Sequence, residues 1–258
     1  MTGEPEKKKA VLLFVHGWGL SSSVWEKQDT FFGDTFSVLR MDLRGHGAAR
    51  NMRGPYHIKA FRDDLKNTLE RFQNTKIILV GSSLGAMVVL SFVLKFPGTA
   101  QGAVLIGATP CFLKKEGFDC GVPQVVTSRL RNQLEQDCQK RMEGFYGQLL
   151  SPEEKKTVQC TEKQKDLYIK PFYPSLKVLL DTLGEIEKWD IRKRLNEILL
   201  PVLIVHGERD PLFDRKCARE LCKIKKSTVK FIPDAGHLPF LTAAEPVNRA
   251  IKNFLFSL

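Results

Sequence analysis

The sequence contains no long apolar run. Its strongest apolar stretches, residues 10–15 and 77–80, fall far short of the roughly 20 residues that a bilayer span requires, so no membrane-spanning segment is expected. The opening stretch from Met1 to Lys9 is polar and charged, and the apolar residues behind it soon reach a glycine-containing turn. That is too short for the core of a secretory signal, and a cytoplasmic location is expected. Cysteine is sparse and unpatterned: Cys111, Cys120, Cys138, Cys160, Cys217 and Cys222 form no pair at zinc spacing, which leaves reduced thiols as the reading. Neither a metal-ligand cluster nor a phosphate-binding glycine loop is visible, so no metal and no cofactor are expected. Histidine is also scarce, with five in the chain. Positive charge, by contrast, is abundant, at net +11. No nucleic-acid motif or aromatic–basic interleaving accompanies it, so the excess reads as a solvated basic surface or one that attracts an acidic partner, and not as a nucleic-acid site. Residues 111–190 hold 13 basic and 13 acidic side chains, so the excess lies outside that segment.

What is present is an alternation of short apolar runs with longer helical patterns, the signature of a mostly parallel sheet flanked by helices. Strands are predicted at 10–15, 36–41, 76–80, 102–106, 202–205 and 228–232. Their centres are apolar with little alternation, as expected of strands buried on both faces. Helices are predicted at 58–72, 84–96, 215–222 and 245–256, the last with Pro246 at its first helical position. Between Thr109 and Asp190 the alternation stops. Charged amphipathic pieces at 127–148 and 152–167 follow, broken by Pro171 and Pro174. The division expected is a core of residues 1–110 and 191–258 and an inserted helical lid of residues 111–190, placed over a ligand crevice at the strand ends. The protein is expected to act as a monomer.

The chemistry gathers on four short stretches. Gly81-Ser82-Ser83-Leu84-Gly85 lies between a predicted strand and a predicted helix, the context in which a G-x-S-x-G pattern presents a nucleophilic serine on a strained turn. Ser83 is the central hydroxyl, and Ser82 is directed away from the apex. A serine needs a base. His237, in the loop between the last strand and last helix, is placed at the same strand ends; His16 and His206 read as structural, His46 as bound to backbone, and His57 as capping or preceding a helix. Asp210, in Gly207-Glu208-Arg209-Asp210-Pro211, is the acid that would orient the imidazole. Asp214 is the alternative but reads as a helix N-cap, and Glu208 is a lesser one. The order serine, aspartate, histidine is that of the α/β-hydrolase fold. The backbone N–H groups of Trp18, in His16-Gly17-Trp18-Gly19, and of Leu84 are the expected oxyanion donors.

These stretches, together with Leu20, Val24-Trp25, Asp42-Leu43-Arg44-Gly45-His46-Gly47 and the phrase from Leu150 to Val158, resemble the α/β-hydrolase-fold esterase of biotin synthesis. That family removes the methyl group from pimeloyl-acyl-carrier-protein methyl ester. The resemblance implies a serine carboxylesterase acting on a carrier-linked ester, with Phe145 lining an acyl tunnel unless it is a plain core aromatic. It also implies that a family basic pair meeting the carrier falls at Lys156 and Cys160, so one charge is kept; Lys155, Arg141 and Lys140 would complete a basic rim. The alternatives are a broad short-chain carboxylesterase, another hydrolase such as a carbon–carbon bond hydrolase, or a non-enzymatic ligand receptor on the same fold.

Overall fold

The computed structural model describes residues 10–72, 74–156 and 173–258. Six parallel strands form one sheet: β1 (Val11–Val15), β2 (Ser37–Met41), β3 (Ile77–Ser82), β4 (Gly102–Ile106), β5 (Val202–Gly207) and β6 (Ser227–Ile232), in the spatial order β2-β1-β3-β4-β5-β6. The chain steps from β1 to one side and returns to the other, so a topological switch point falls between β1 and β3. In open α/β sheets the crevice beyond such a point is where ligands bind. The register pairs Val15 with Gly81, which sets the turn after β1 beside the turn after β3. All six predicted strands are present, with ends shifted by one or two residues.

The inner strands β1, β3, β4 and β5 are buried throughout, as their unbroken apolar runs anticipate. The edge strands depart from that expectation: β2 is mostly half-buried and β6 alternates, because each has a neighbour on one side only. Helix α1 (Glu26–Phe32) was not anticipated; α2 (Ile58–Leu69) and α3 (Leu84–Lys95) were. Within the segment between β4 and β5, the single piece expected at 127–148 is two helices, α4 (Gln124–Gln136) and α5 (Cys138–Gln148). Asp137 separates them, its carboxylate accepting from the Lys140 N–H at 3.0 Å as the N-cap of α5. Helix α6 spans Pro152–Lys156. The remainder of the piece expected at 152–167 lies outside the described residues, as do Cys160 and Pro171. Helix α7 (Leu176–Lys188), capped by Ser175 just after Pro174, is a full amphipathic helix where no element was predicted. The C-terminal elements are α8 (Arg215–Glu220), α9 (Pro239–Thr242) and α10 (Ala244–Phe256). Pro246 is the third residue of α10, not the first. It is tolerated for the same reason, since the first turn has no internal partners for its N–H groups.

Helix α3 positions the site. Its residues from Leu84 to Leu90 are buried without a break, together with Phe92 and Val93. A helix hydrophobic all round belongs inside a protein, sandwiched here between the sheet and α2. Each large apolar side chain so buried contributes about 1.5–3 kcal/mol, ample to hold the strained turn from which α3 starts. Among the described residues no helix is long and apolar enough to cross a membrane.

Candidate active site

Ser83 stands between β3 and α3 at φ 52° and ψ −114°, a conformation that costs a non-glycine residue about 1–3 kcal/mol. Its N–H donates to the Ile106 carbonyl at 2.9 Å, tying the turn to β4. The flanking glycines are required by close approach: a Cβ on Gly85 would lie 2.2 Å from the Val15 carbonyl oxygen, and one on Gly81 2.5 Å from that of Gly85. Ser82 is the last residue of β3 and fully buried, whereas Ser83 is half-exposed. The next residue, Leu84, is the first of α3, so its amide is one that the helix leaves without an internal partner. Gly17 approaches from the turn after β1, where an added Cβ would come within 3.3 Å of the Ser83 Cβ. Trp18 is the next residue of that turn.

His237 and Asp210 meet across the carboxyl ends of β5 and β6. The Asp210 Oδ2 lies 2.8 Å from His237 Nδ1, and both side chains are buried. A carboxylate only accepts, so Nδ1 carries the proton and Nε2 is left with its lone pair open to accept one. That Nε2 is buried without a partner among the described residues. Asp210 Oδ1 accepts from the Leu212 and Phe213 N–H groups at 2.8 and 3.1 Å. Burial opposes the charge on Asp210, but the His237 imidazole, its hydrogen bond, the nearby His206 and these amides outweigh it and hold the carboxyl below its ordinary pKa. His206 lies 3.7 Å from Asp210 Oδ2. Burial pushes its pKa down despite that neighbour, and its Nε2 is 3.0 Å from the Phe213 carbonyl, so it stays neutral and structural. The two other candidate acids are placed elsewhere. Asp214 caps α8 by accepting from the Lys216 N–H at 2.8 Å, and Glu208 lies 3.7 Å from Arg215.

The remaining histidines are also structural. His16 Nε2 accepts from the Leu43 N–H at 3.1 Å, His46 Nδ1 is 3.3 Å from the Arg44 carbonyl, and His57 Nδ1 accepts from the Ala60 N–H at the start of α2.

Ser83 and His237 open onto one cavity of about 450 Å³, which Trp18 and Phe145 also line. Larger hollows near Lys226 and Lys66 are remote from both residues and hold no such pair. The indole of Trp18 meets the Phe145 ring edge-on at 5.0 Å and donates from Nε1 to the Leu179 carbonyl of α7 at 3.2 Å. Of the four basic side chains expected on a rim, Lys140, Lys155 and Lys156 are exposed, but Arg141 is half-buried and lines the cavity. It belongs to the cavity wall because α5 turns residues 141, 145 and 148 to one face. No group of three or more side chains able to hold a metal occurs among the described residues.

One contribution escaped the sequence. Glu154 Oε2 accepts from the Ser151 N–H at 2.7 Å and from the Gly236 N–H at 3.0 Å, while the Ser151 hydroxyl accepts from the Glu154 N–H. The His237 N–H donates to the Leu149 carbonyl at 2.8 Å. The histidine loop is thus held by residues of the segment between β4 and β5. The Ser-x-x-Glu spacing of a capping box was the signal that could have drawn attention to it.

The comparisons with known proteins agree with this architecture. A family model described as the alpha/beta hydrolase fold matches residues 10–244. The chain belongs to that family. Among curated relatives, it is 27% identical over 248 residues to the pimeloyl-[acyl-carrier protein] methyl ester esterase of Wigglesworthia glossinidia brevipalpis, covering 95% of this chain and 93% of that protein. It is 28% identical over 245 residues to the protein of the same name from Pectobacterium atrosepticum, covering 94% and 93%. The resemblance read from the sequence is therefore shared by curated relatives over nearly the whole chain. Among solved structures, a bromoperoxidase from Bacillus anthracis superposes with a TM-score of 0.87 at 25% identity, covering 96% of this chain and 92% of that one. An esterase from Exiguobacterium antarcticum gives 0.85 at 20% identity with coverage of 96% and 92%, a likeness of fold.

Proposed function

We propose that the chain is a serine carboxylesterase that removes the methyl group from an acyl ester borne by an acyl carrier protein, pimeloyl-carrier methyl ester being the substrate named for its curated relatives. The observation carrying the chemistry is the Asp210–His237 pair, whose Nε2 has no hydrogen-bond partner among the described residues and whose imidazole lines the same cavity as Ser83. Ser83 Oγ attacks the ester carbonyl as His237 Nε2 takes its proton, and Asp210 stabilises the imidazolium. The Trp18 and Leu84 N–H groups receive the oxyanion. Collapse expels methoxide, which leaves as methanol with the proton from His237. Water then enters by the same route in reverse and frees the acid from Ser83. Residues 111–190 act as a lid over the remaining core, with Phe145 against the acyl chain. An acyl carrier protein is acidic, and the exposed Lys140, Lys155 and Lys156 offer it a basic approach.

The direct experiment is methanol release from pimeloyl-carrier methyl ester, with restoration of growth without biotin in a bacterium lacking its own esterase. Turnover of a p-nitrophenyl ester but not of the carrier-linked ester would reduce the reading to a general carboxylesterase; turnover of neither would end it. Charge reversal of Lys155 and Lys156 to Glu is expected to raise KM for the carrier-linked ester several-fold at low salt. The difference should shrink as salt is added, since the Debye length falls to about 10 Å at 0.1 M. Equal effects on a p-nitrophenyl ester would instead point to a disturbed lid.

A further inference from the structure

The cavity wall carries positive charge with no acidic side chain beside it among the described residues. Two arginines, Arg129 and Arg141, are among the described residues lining it, and no aspartate or glutamate is. Among the described residues neither arginine has a carboxylate within ion-pairing distance, although Arg131 on the same stretch of chain is paired with Glu187 at 2.9 Å. Arg129 is exposed. Arg141 is the more deeply placed, with a buried Nε that has no partner among the described residues. Its guanidinium lies 5.4 Å from the centre of the Phe145 ring, and its Nη2 donates to Gln148 Oε1 at 2.9 Å. Phe145 in turn meets Trp18, beside the Ser83 turn. A series of contacts therefore runs from the nucleophile along an apolar wall to a fixed cation.

Burying a charged group without a counter-charge is unfavourable, and the burial of Arg141 already works against its charged form. A planar fork held by an aromatic face and an amide is, however, preorganised for a bidentate anion. We propose that Arg141 forms an anion subsite within the cavity, so that the preferred substrate is an ester whose arm bears a carboxylate or phosphate beyond the apolar stretch facing Phe145. This deepens the esterase reading and rests on it.

The test compares three esters of matched length. They are p-nitrophenyl hexanoate, the mono-p-nitrophenyl ester of adipic acid, and the p-nitrophenyl ester of a hexanoic acid phosphorylated at its terminal hydroxyl. The wild-type protein is expected to favour one or both anionic esters over the neutral one in kcat/KM. Which of the two gains more identifies the anion as carboxylate or phosphate. Arg141→Gln should lower that preference about ten-fold, chiefly through KM, the size expected for one charge-assisted hydrogen-bonded contact. Arg141→Lys, which keeps the charge but loses the fork, should retain part of it. An unchanged preference in an active Arg141→Gln protein, or no preference in the wild type, would overturn the anion subsite while leaving the esterase intact. Absence of turnover on all three esters in the wild type would overturn the esterase reading and the subsite together. Should Arg141→Gln lose activity on every ester, the lysine variant decides: a preference reduced but retained there, at normal neutral-ester turnover, supports the subsite, and an undiminished or an abolished preference would overturn it.

Discussion

At the scale of single residues, Ser83 and Ser82 differ by position alone. Ser83→Ala is expected to lower esterase turnover by about 10⁴-fold or more, because oxyanion stabilisation and binding alone remain, with little change in the melting curve. Ser82→Ala should leave turnover within a few-fold, since that side chain lies buried at the end of β3. Steady-state kinetics on a p-nitrophenyl ester separates them, and a near-normal rate in Ser83→Ala would remove the serine from the mechanism. Asp210→Asn should cut kcat on the order of 10⁴-fold with KM nearly constant, by favouring the wrong His237 tautomer. Asp214→Asn, at the cap of α8, should change stability by about 0.5 kcal/mol or less, because asparagine caps a helix about as well as aspartate, and leave kcat alone. The reverse ranking would reassign the acid.

At the scale of elements, the inner strands were legible because burial on both faces leaves an unbroken apolar run. The edge strands were found by the same signal but their exposure was not, since nothing local distinguishes a strand with one neighbour from a strand with two. Helices α2 and α3 were legible from length and flanking signals. The break at Asp137 was missed because the apolar spacing continues across it, and α7 was not predicted although Pro174, which ends a helix at the residue before it, leaves the chain beyond free to start one. Of the candidate site, the Ser83 turn and the Asp210–His237 pairing were expected from short motifs. The cavity-facing direction of Arg141 and the reach of Glu154 to Gly236 were not, because they depend on how distant segments pack. Glu154→Ala should unfasten both amides that Oε2 receives. The expected result is faster deuterium exchange at the Gly236 amide and a several-fold lower kcat. Glu154→Gln, which can still accept, should show a smaller change in each, and unaltered exchange in Glu154→Ala would show that the loop holds itself.

At the scale of the molecule, buried histidines make stability depend on pH. His46 is held neutral by burial and by His16 beside it, with its pKa lowered from 6.5 to about 3; burial also lowers those of His16 and His206. The unfolded chain takes up protons near pH 6.5 while these sites do not. Their contribution is therefore complete above that pH and is lost as pH falls toward the folded values. For His46, each pH unit between 6.5 and its folded value costs about 1.4 kcal/mol. Urea unfolding at pH 7.5 and 5.5 should show the loss, and His46→Asn, whatever its stability at the higher pH, should lose about 1.4 kcal/mol less between the two. An identical loss in the variant would mean that His46 is protonated in the folded state.

The grip of Leu149 and Glu154 on the His237 loop also sets a boundary for anyone recombining this protein with a related scaffold. A graft that exchanges only residues 111–148 retains both anchors of the loop, whereas one extended through 156 transfers them to the donor. The two chimaeras would then differ in turnover number and not only in substrate preference, so the useful crossover lies before Leu149, well inside the insertion and away from its end.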